Sequence, residues 1–342
     1  MSPADKLSAY RLSVVAPCYN EEAGLPEFVR RLKAVCTQLG CAHEIVLVND
    51  GSRDRTLAVA LDLALQDPVI RVVNLLRNFG HQAAVTAGLD VARGDVVVLI
   101  DCDLQDPPEI IIEMVAAWKN GADVAYGQRR TRDGETVFKL YTAKLFYRLL
   151  KLMTQSDIPS DTGDFRLMDR RVVEVLRSMR EHHRFIRGMV SWVGGRQVAV
   201  PYDRKPRFAG ETKYPLRKML SFALDAITSF SVVPLRLVTY LALTIIALAM
   251  MATVTVFVLK LVNPGYFIPG FAATLLTIIF FGGIQLLALG VIGEYLGRMY
   301  EAVKARPIYI VKDIFPLPDQ PGPSLATPVL DPPTHLTPPG SH

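Results

Sequence analysis

The chain of 342 residues is poor in cysteine, with only Cys18, Cys36, Cys41 and Cys102. These four show no paired metal spacing, which excludes a cysteine-held metal and predicts reduced core or incidental thiols. No Gly-x-Gly-x-x-Gly follows the first apolar run, so the dinucleotide fingerprint is missing. A Gly-rich Walker loop is absent, and so is the Gly-x-Ser-x-Gly of a serine hydrolase. His182-His183 has no partner at metal spacing and reads as surface. The net charge of +5 is too small to argue for nucleic acid, but it suits an anionic membrane surface. No internal repeat is visible, and the polar stretch Met1 to Arg11 predicts no signal peptide. Carboxylates, amides and cations remain, a set suited to moving a group from an activated phosphate ester.

The apolar residues, 50% of the chain, are unevenly spread. Leu237 to Leu259 and Gly270 to Ile292 carry no charge. Each is roughly 34 Å long as a helix, enough to cross a bilayer core of roughly 30 Å. Asn263-Pro264-Gly265-Tyr266 makes a tight connection between them. Arg217, Lys218 and Arg236 precede the first segment, and Arg298, Lys304 and Arg306 follow the second. Only Lys260 lies near the connection, so the positive-inside rule places both flanks and both termini in the cytoplasm of a plasma-membrane protein.

The first two hundred residues alternate apolar runs with helical patterns. Strands are predicted at Leu12 to Ala16, Glu44 to Val48, Ile70 to Leu75, Asp95 to Ile100 and Asp123 to Tyr126. Helices are predicted at Glu22 to Leu39, Arg55 to Leu65, Gln82 to Ala92 and Pro108 to Lys119. This alternation predicts an α/β fold with a mostly parallel sheet, whose ligands bind beyond the carboxyl ends of the strands. A cytoplasmic domain over 1–214 is followed by a juxtamembrane amphipathic helix over 215–231 and a two-helix transmembrane hairpin over 232–297. A cytoplasmic segment over 298–315 and a Pro-rich disordered tail over 316–342 complete the organisation. Within the first domain, Lys144, Arg148 and Lys151 share one face of a helix over 139–153, opposite Leu145, Phe146 and Leu149. Such a helix suits the membrane interface.

The most informative stretch follows Val96-Val97-Val98-Leu99-Ile100, where the strand closes in Asp101-Cys102-Asp103-Leu104-Gln105-Asp106-Pro107. Alternate residues of an extended chain point the same way, so Asp101 and Asp103 are expected to face one site. Two carboxylates at a strand's carboxyl end suit Mg2+ or Mn2+, with a diphosphate as the remaining ligand. Asn49-Asp50-Gly51-Ser52 alone reads as a turn.

Five motifs occur in order: Pro17-Cys18-Tyr19-Asn20-Glu21, Val48-Asn49-Asp50-Gly51-Ser52, Arg77-Asn78-Phe79-Gly80-His81, Asp101 to Pro107, and Asp161-Thr162-Gly163-Asp164-Phe165-Arg166. Together they resemble family 2 glycosyltransferases of the GT-A fold. Within that family the chain is similar to polyprenyl-phosphate glycosyltransferases, the bacterial relatives of dolichyl-phosphate mannose synthase. The subgroup with two C-terminal membrane helices includes bactoprenol glucosyltransferases. The resemblance covers about residues 10 to 312.

It implies an inverting enzyme that moves a hexose, foremost glucose from UDP-glucose, to polyprenyl phosphate for cell-envelope glycans. It also implies that Pro17, Tyr19, Asn20, Glu21, Asp50, Arg77, Gly80 and Asp101 line the nucleotide-sugar pocket. Asp101 and Asp103 flank or bind the metal, Gln105 faces the sugar or acceptor, and Asp164 is the family's catalytic base. Chemistry tempers that last role, because a lipid phosphate with a second pKa of about 6 is already mostly dianionic at neutral pH. The acceptor needs cations instead, and Arg129, Lys139, Arg204, Arg207 and Lys213 are the candidates. The same acceptor with GDP-mannose or a UDP-aminosugar is the alternative, and a non-catalytic sugar-nucleotide sensor or flippase scaffold is the alternative of another class. A processive synthase lacks support, since no Gln-x-x-Arg-Trp follows the acidic motifs. A homo-oligomer is implied by the family alone. Gly293 and Gly297, at i and i+4, suit close helix approach.

Overall fold

The structure is a computed structural model that describes residues 9–130, 162–182, 184–203, 233–262 and 270–316. The expected interfacial helix over 139–153, the juxtamembrane helix over 215–231, the connection at 263–266 and the tail beyond 316 lie outside these residues. Contacts divide the chain into two compact units, one holding the sheet and one holding two long helices.

In the sheet unit, β1 (Arg11–Cys18), β2 (Ala42–Asn49), β3 (Ile70–Leu75) and β4 (Val96–Leu99) run parallel in the order β4-β1-β2-β3. Their runs of Val, Leu and Ile are buried, as both faces of a covered parallel sheet demand. The covering helices are α1 (Leu25–Leu39), α2 (Thr56–Gln66), α3 (His81–Val91) and α4 (Ile111–Lys119). In α1 the buried residues Leu25, Phe28, Val29, Leu32, Val35 and Cys36 repeat at helical spacing, with Pro in the first turn and Gly40 at the C-cap. Each such large side chain, fully buried, contributes about 1.5–3 kcal/mol.

Four further elements complete the sheet's flanks: β5 (Val124–Arg129), β6 (Thr162–Asp169), β7 (Gln197–Tyr202) and β8 (Val311–Phe315). The eight-stranded order is β7-β5-β6-β4-β1-β2-β3-β8. β6 runs antiparallel between β4 and β5, and β8 runs antiparallel along β3. The sheet is therefore mostly parallel, as expected, with one antiparallel strand inserted, β6, and one at the edge, β8. Two short helices, α5 (Arg170–Ser178) and α6 (Ile186–Val193), follow β6. Asp169 caps α5 by accepting the backbone N–H of Arg171, and it also accepts the indole N–H of the buried Trp118 at 2.8 Å.

Two sequence expectations change here. The fourth strand ends at Leu99, Asp103 lies in a turn, and Leu104 takes φ +61°. Asp101, Asp103 and Gln105 are thus brought together by a folded loop rather than by strand alternation. Arg129 is the last residue of β5 and pairs with Tyr202 of β7, rather than lying three residues past the strand.

The second unit contains α7 (Val233–Val262) and α8 (Phe271–Val303), which contact each other. Both run past the expected segments at 237–259 and 270–292. Among the described residues one stretch, Phe280–Val303, is long and apolar enough to cross a membrane.

Candidate active site

The carboxyl ends of β1 to β4 form one edge of the sheet, and an antiparallel strand begins where its parallel neighbour ends. β6 therefore brings its first residues, Thr162 to Asp164, to the edge where β4 delivers Asp101, since Leu99 pairs with Arg166. The site is assembled there.

On the β1 and β2 side, two loops are laced together by hydrogen bonds. Asn20 takes φ +57°, and its side-chain oxygen accepts the N–H of Arg53 at 2.9 Å. The N–H of Asn20 donates to Ser52 Oγ at 3.1 Å, and that of Glu21 donates to Thr56 Oγ1 at 2.8 Å. Tyr19 is exposed, while Pro17 gives its carbonyl to the Cys102 thiol at 3.2 Å. The adjacent Cys18 thiol and burial push Cys102 well above the usual thiol pKa, which leaves it protonated and unreactive. Cys18, Cys36 and Cys102 are buried free thiols, and Cys41 is partly buried.

Asp50 is buried, and its two oxygens accept the N–H groups of Phe79 at 2.7 Å and Gly80 at 3.0 Å. Burial raises its pKa, and those two donors oppose the rise. Its carboxylate shapes the loop that carries Arg77, whose guanidinium stacks 4.1 Å above the Phe79 ring. Asp50 thus builds the neighbouring loop.

The acid loop follows β4. Asp103 Oδ1 accepts the N–H of Gln105 at 3.1 Å, which closes the turn. Asp101 is pushed up to about 6 by burial, opposed by His81 and reinforced by the charges of Asp164, Asp103 and Asp106. Its side chain is 36% exposed, so water screens part of this effect. The buried Asp106 accepts the hydroxyl of the buried Tyr202, and Arg129 Nε donates to that hydroxyl at 3.5 Å. Burial and the Asp106 charge raise the Tyr202 pKa, so the phenol stays protonated as the donor. A Cβ built on Gly163 would lie 3.1 Å from Arg129 Nη2, which puts that guanidinium beside the residue preceding Asp164.

Asp164 is also enclosed, with its side chain 6% exposed. Oδ1 accepts Arg187 Nε at 2.7 Å; Oδ2 lies 3.0 Å from His81 Nε2 and accepts Gln82 Nε2 at 3.4 Å. Burial disfavours its charge, but Arg187 and His81 overcome that and hold the carboxyl well below the usual range. His81 also lies 3.8 Å from Asp101, and despite burial these carboxylates raise its pKa, which favours imidazolium. Arg166 donates to the carbonyls of Gly163 and Asp164 at 3.1 and 3.3 Å, which fixes the start of β6.

The structure thus gathers Asp101, Asp103, Gln105, Arg129 and Asp164 around one edge, with the Pro17 to Glu21 and Asp50 to Gly80 loops beside them. Lys139, Arg204, Arg207 and Lys213 lie outside the described residues. Sequence reasoning missed Gln82, Arg187 and Tyr202 as site residues, and it named His81 and Asp106 within motifs without giving them a role. Arg187 carries no signal in the chain, because its partner is 23 residues away across a helix and a strand. Among the described residues no cluster of three or more His, Cys, Asp or Glu is arranged to hold a metal by itself. Two carboxylates completed by diphosphate and water oxygens remain a donor set that fits a hard divalent cation.

Residues 13–177 match the family model described as Glycosyl transferase family 2. An uncharacterized glycosyltransferase of Synechocystis sp. is 50% identical over 306 residues, covering 90% of this chain and 96% of that protein. A prophage bactoprenol glucosyl transferase homolog of Escherichia coli is 40% identical over 304 residues, covering 89% of this chain and 99% of that protein. Among solved structures, mannosyl-3-phosphoglycerate synthase of Rubrobacter xylanophilus is similar at 18% identity, with a TM-score of 0.46, covering 66% of this chain and 74% of that one. An α/β sheet of this order, with acidic loops at its carboxyl edge and relatives that match nearly end to end, makes this chain a glycosyltransferase of family 2, with the GT-A fold.

Proposed function

We propose that this enzyme transfers glucose from UDP-glucose to polyprenyl phosphate at the cytoplasmic face of the membrane, with inversion at the anomeric carbon. The observation that carries the reading is the 40% identity to the bactoprenol glucosyl transferase homolog over 304 residues. A match of that length in a chain of 342 has to run through the long helices at 233–303 as well as the sheet. Those helices serve as the membrane anchor in this reading. α8 supports it with exposed Leu286, Leu287 and Leu289, side chains that water solvates poorly.

The chemistry divides along the site. An oxygen of the acceptor phosphate forms a bond to the anomeric carbon as the carbon's bond to the diphosphate oxygen breaks and UDP leaves. The dianionic acceptor needs no base, and a carboxyl held as firmly ionised as Asp164 is a poor proton acceptor. Asp164 instead orients its neighbours and places negative charge near the developing positive charge of the sugar. Arg129, with Lys139, Arg204, Arg207 and Lys213, supplies cations for the acceptor phosphate. Asp101 and Asp103 would hold Mg2+ or Mn2+, which supplies charge stabilisation for the leaving diphosphate when bound. The Pro17 to Glu21 loop, Asp50, Arg77 and Gly80 frame the nucleotide, and Gln105 faces the transferred sugar.

A screen of radiolabelled UDP-glucose, GDP-mannose and UDP-aminosugars with short polyprenyl phosphate and Mg2+ or Mn2+ tests the reading. Glucolipid from UDP-glucose is the expected product. A product from another donor alone would replace the sugar, and no glycolipid from any donor would remove the acceptor. Asp103→Ala is expected to abolish transfer while the protein stays folded, and wild-type turnover in that variant would count against the acid loop's role.

A further inference from the structure

We propose that Arg187 is a positioning residue for the transfer step, acting through Asp164, whose carboxylate it locks in place. The inference rests on Asp164 working at that step, as proposed above. The geometry is specific. Asp164 is almost fully enclosed at the start of β6, and its two oxygens are divided between two helices. Oδ2 faces His81 at 3.0 Å and Gln82 at 3.4 Å, from the first turn of α3. Oδ1 receives Arg187 Nε at 2.7 Å, from the first turn of α6.

Gln82 joins these two helices. Its Oε1 accepts the N–H of Ile186 at 2.9 Å, so the residue before Arg187 is pinned to the same α3 turn that grips the opposite carboxylate oxygen. Arg166, the buried arginine of β6 itself, does a different job. Arg166 binds the carbonyls of Gly163 and Asp164 and fixes the backbone, which leaves the rotation of the carboxylate about its own axis to Arg187, His81 and Gln82. Without Arg187, Oδ1 loses its charged donor. The buried carboxylate then has His81 as its nearest cation and turns toward it, drawing His81 away from Asp101, which it approaches at 3.8 Å. One arginine thereby sets the spacing between the acid of β6 and the acid loop of β4. Reacting groups displaced by about 1 Å lose about 100-fold in rate, and that is the scale expected.

The test is a double-mutant cycle on the full chain in detergent or vesicles, using the donor and acceptor that support wild-type turnover. Arg187→Ala is expected to lower kcat about 100-fold while KM for donor and acceptor each change less than about threefold. Arg187→Lys, which keeps a charged donor without the planar fork, should recover about a tenth or more of the lost rate. Arg187→Ala added to Asp164→Asn should cost no more than Asp164→Asn alone. A raised acceptor KM with unchanged kcat would overturn the proposal, because Arg187 would then bind substrate directly. Additive losses in the double variant would also overturn it. Thermal unfolding identifies a folding defect, and a loss that tracks a lowered Tm in both variants, with no rescue by lysine, would refute positioning. Undiminished turnover in Asp164→Asn would remove the role given to Asp164 and this inference with it. Loss in Asp164→Asn but not in Arg187→Ala would remove this inference alone.

Discussion

Gly51 shows how one residue sets the shape of the loops that follow β2 and β3. It takes φ +62°, and a Cβ built there would lie 2.4 Å from the carbonyl carbon of Arg77 and the nitrogen of Asn78. Both obstacles are backbone, so Gly51→Ala must displace the loop that Asp50 organises. The expected cost is about 2 kcal/mol or more, read by thermal unfolding, with weaker nucleotide binding read by calorimetry. The His81–Asp164 pair gives a second prediction with a sign. Asp164 has a folded pKa below its unfolded value of about 3.9, so its stabilisation is present above about pH 4 and lost as pH falls. His81 has a raised folded pKa, so its contribution is complete below its unfolded value of about 6.5 and lost as pH rises through the folded pKa. His81→Gln should therefore lower Tm more at pH 6 than at pH 9, and an equal effect at both would mean the charge is unimportant.

At the scale of elements, β8 is the least expected strand. It arrives from beyond α8, covers the edge of β3 and removes an exposed strand edge from the sheet. Just before it, the buried Tyr309 donates its hydroxyl to Asp90 of α3 at 2.6 Å, and Arg180 binds the same carboxylate at 2.7 Å. A further chain of side chains ties β8 inward. Asn74 Nδ2 donates to Asp313 at 3.3 Å, Asn49 Nδ2 donates to Asn74 Oδ1 at 2.9 Å, and Asn49 Oδ1 accepts the N–H of Ser52 at 3.3 Å. Tyr309→Phe is expected to cost about 1.5–3 kcal/mol, the worth of a buried hydrogen bond to a charge. Faster hydrogen exchange along Ile70–Leu75 would report it, and unchanged exchange would show that β8 docks without Tyr309. β1 to β5 were legible because their apolar runs sit between turn residues. β6 was hidden because Asp164, Arg166 and Asp169 are buried within it, which breaks the pattern that marks a strand. β8 is short and has exposed Lys312 and Asp313, so nothing local separates it from a loop.

For the whole molecule, two units of different solvent preference share one chain. The sheet unit closes a buried core, whereas the described part of α8 exposes Ile278, Phe280, Leu286 and Leu289. If these helices anchor the protein as proposed, it should sediment with membranes, resist extraction by high salt or alkaline carbonate, and be released by detergent. Release by salt alone would show a peripheral protein held by its basic charge. A protease that reaches the C-terminal tail only in inside-out vesicles would support a cytoplasmic end.

The sequence by itself determined the family, the alternating α/β order, the acid loop and two long apolar helices, because each is written in contiguous residues with a local period or motif. Tertiary structure decided which groups meet. It replaced strand alternation with a folded turn at Asp101 to Gln105, put Arg129 beside Gly163, and gave Asp164 its partners His81, Gln82 and Arg187. Those partners come from two helices far apart in the chain. Charge stabilisation acts through space, and only packing sets the distances on which it depends.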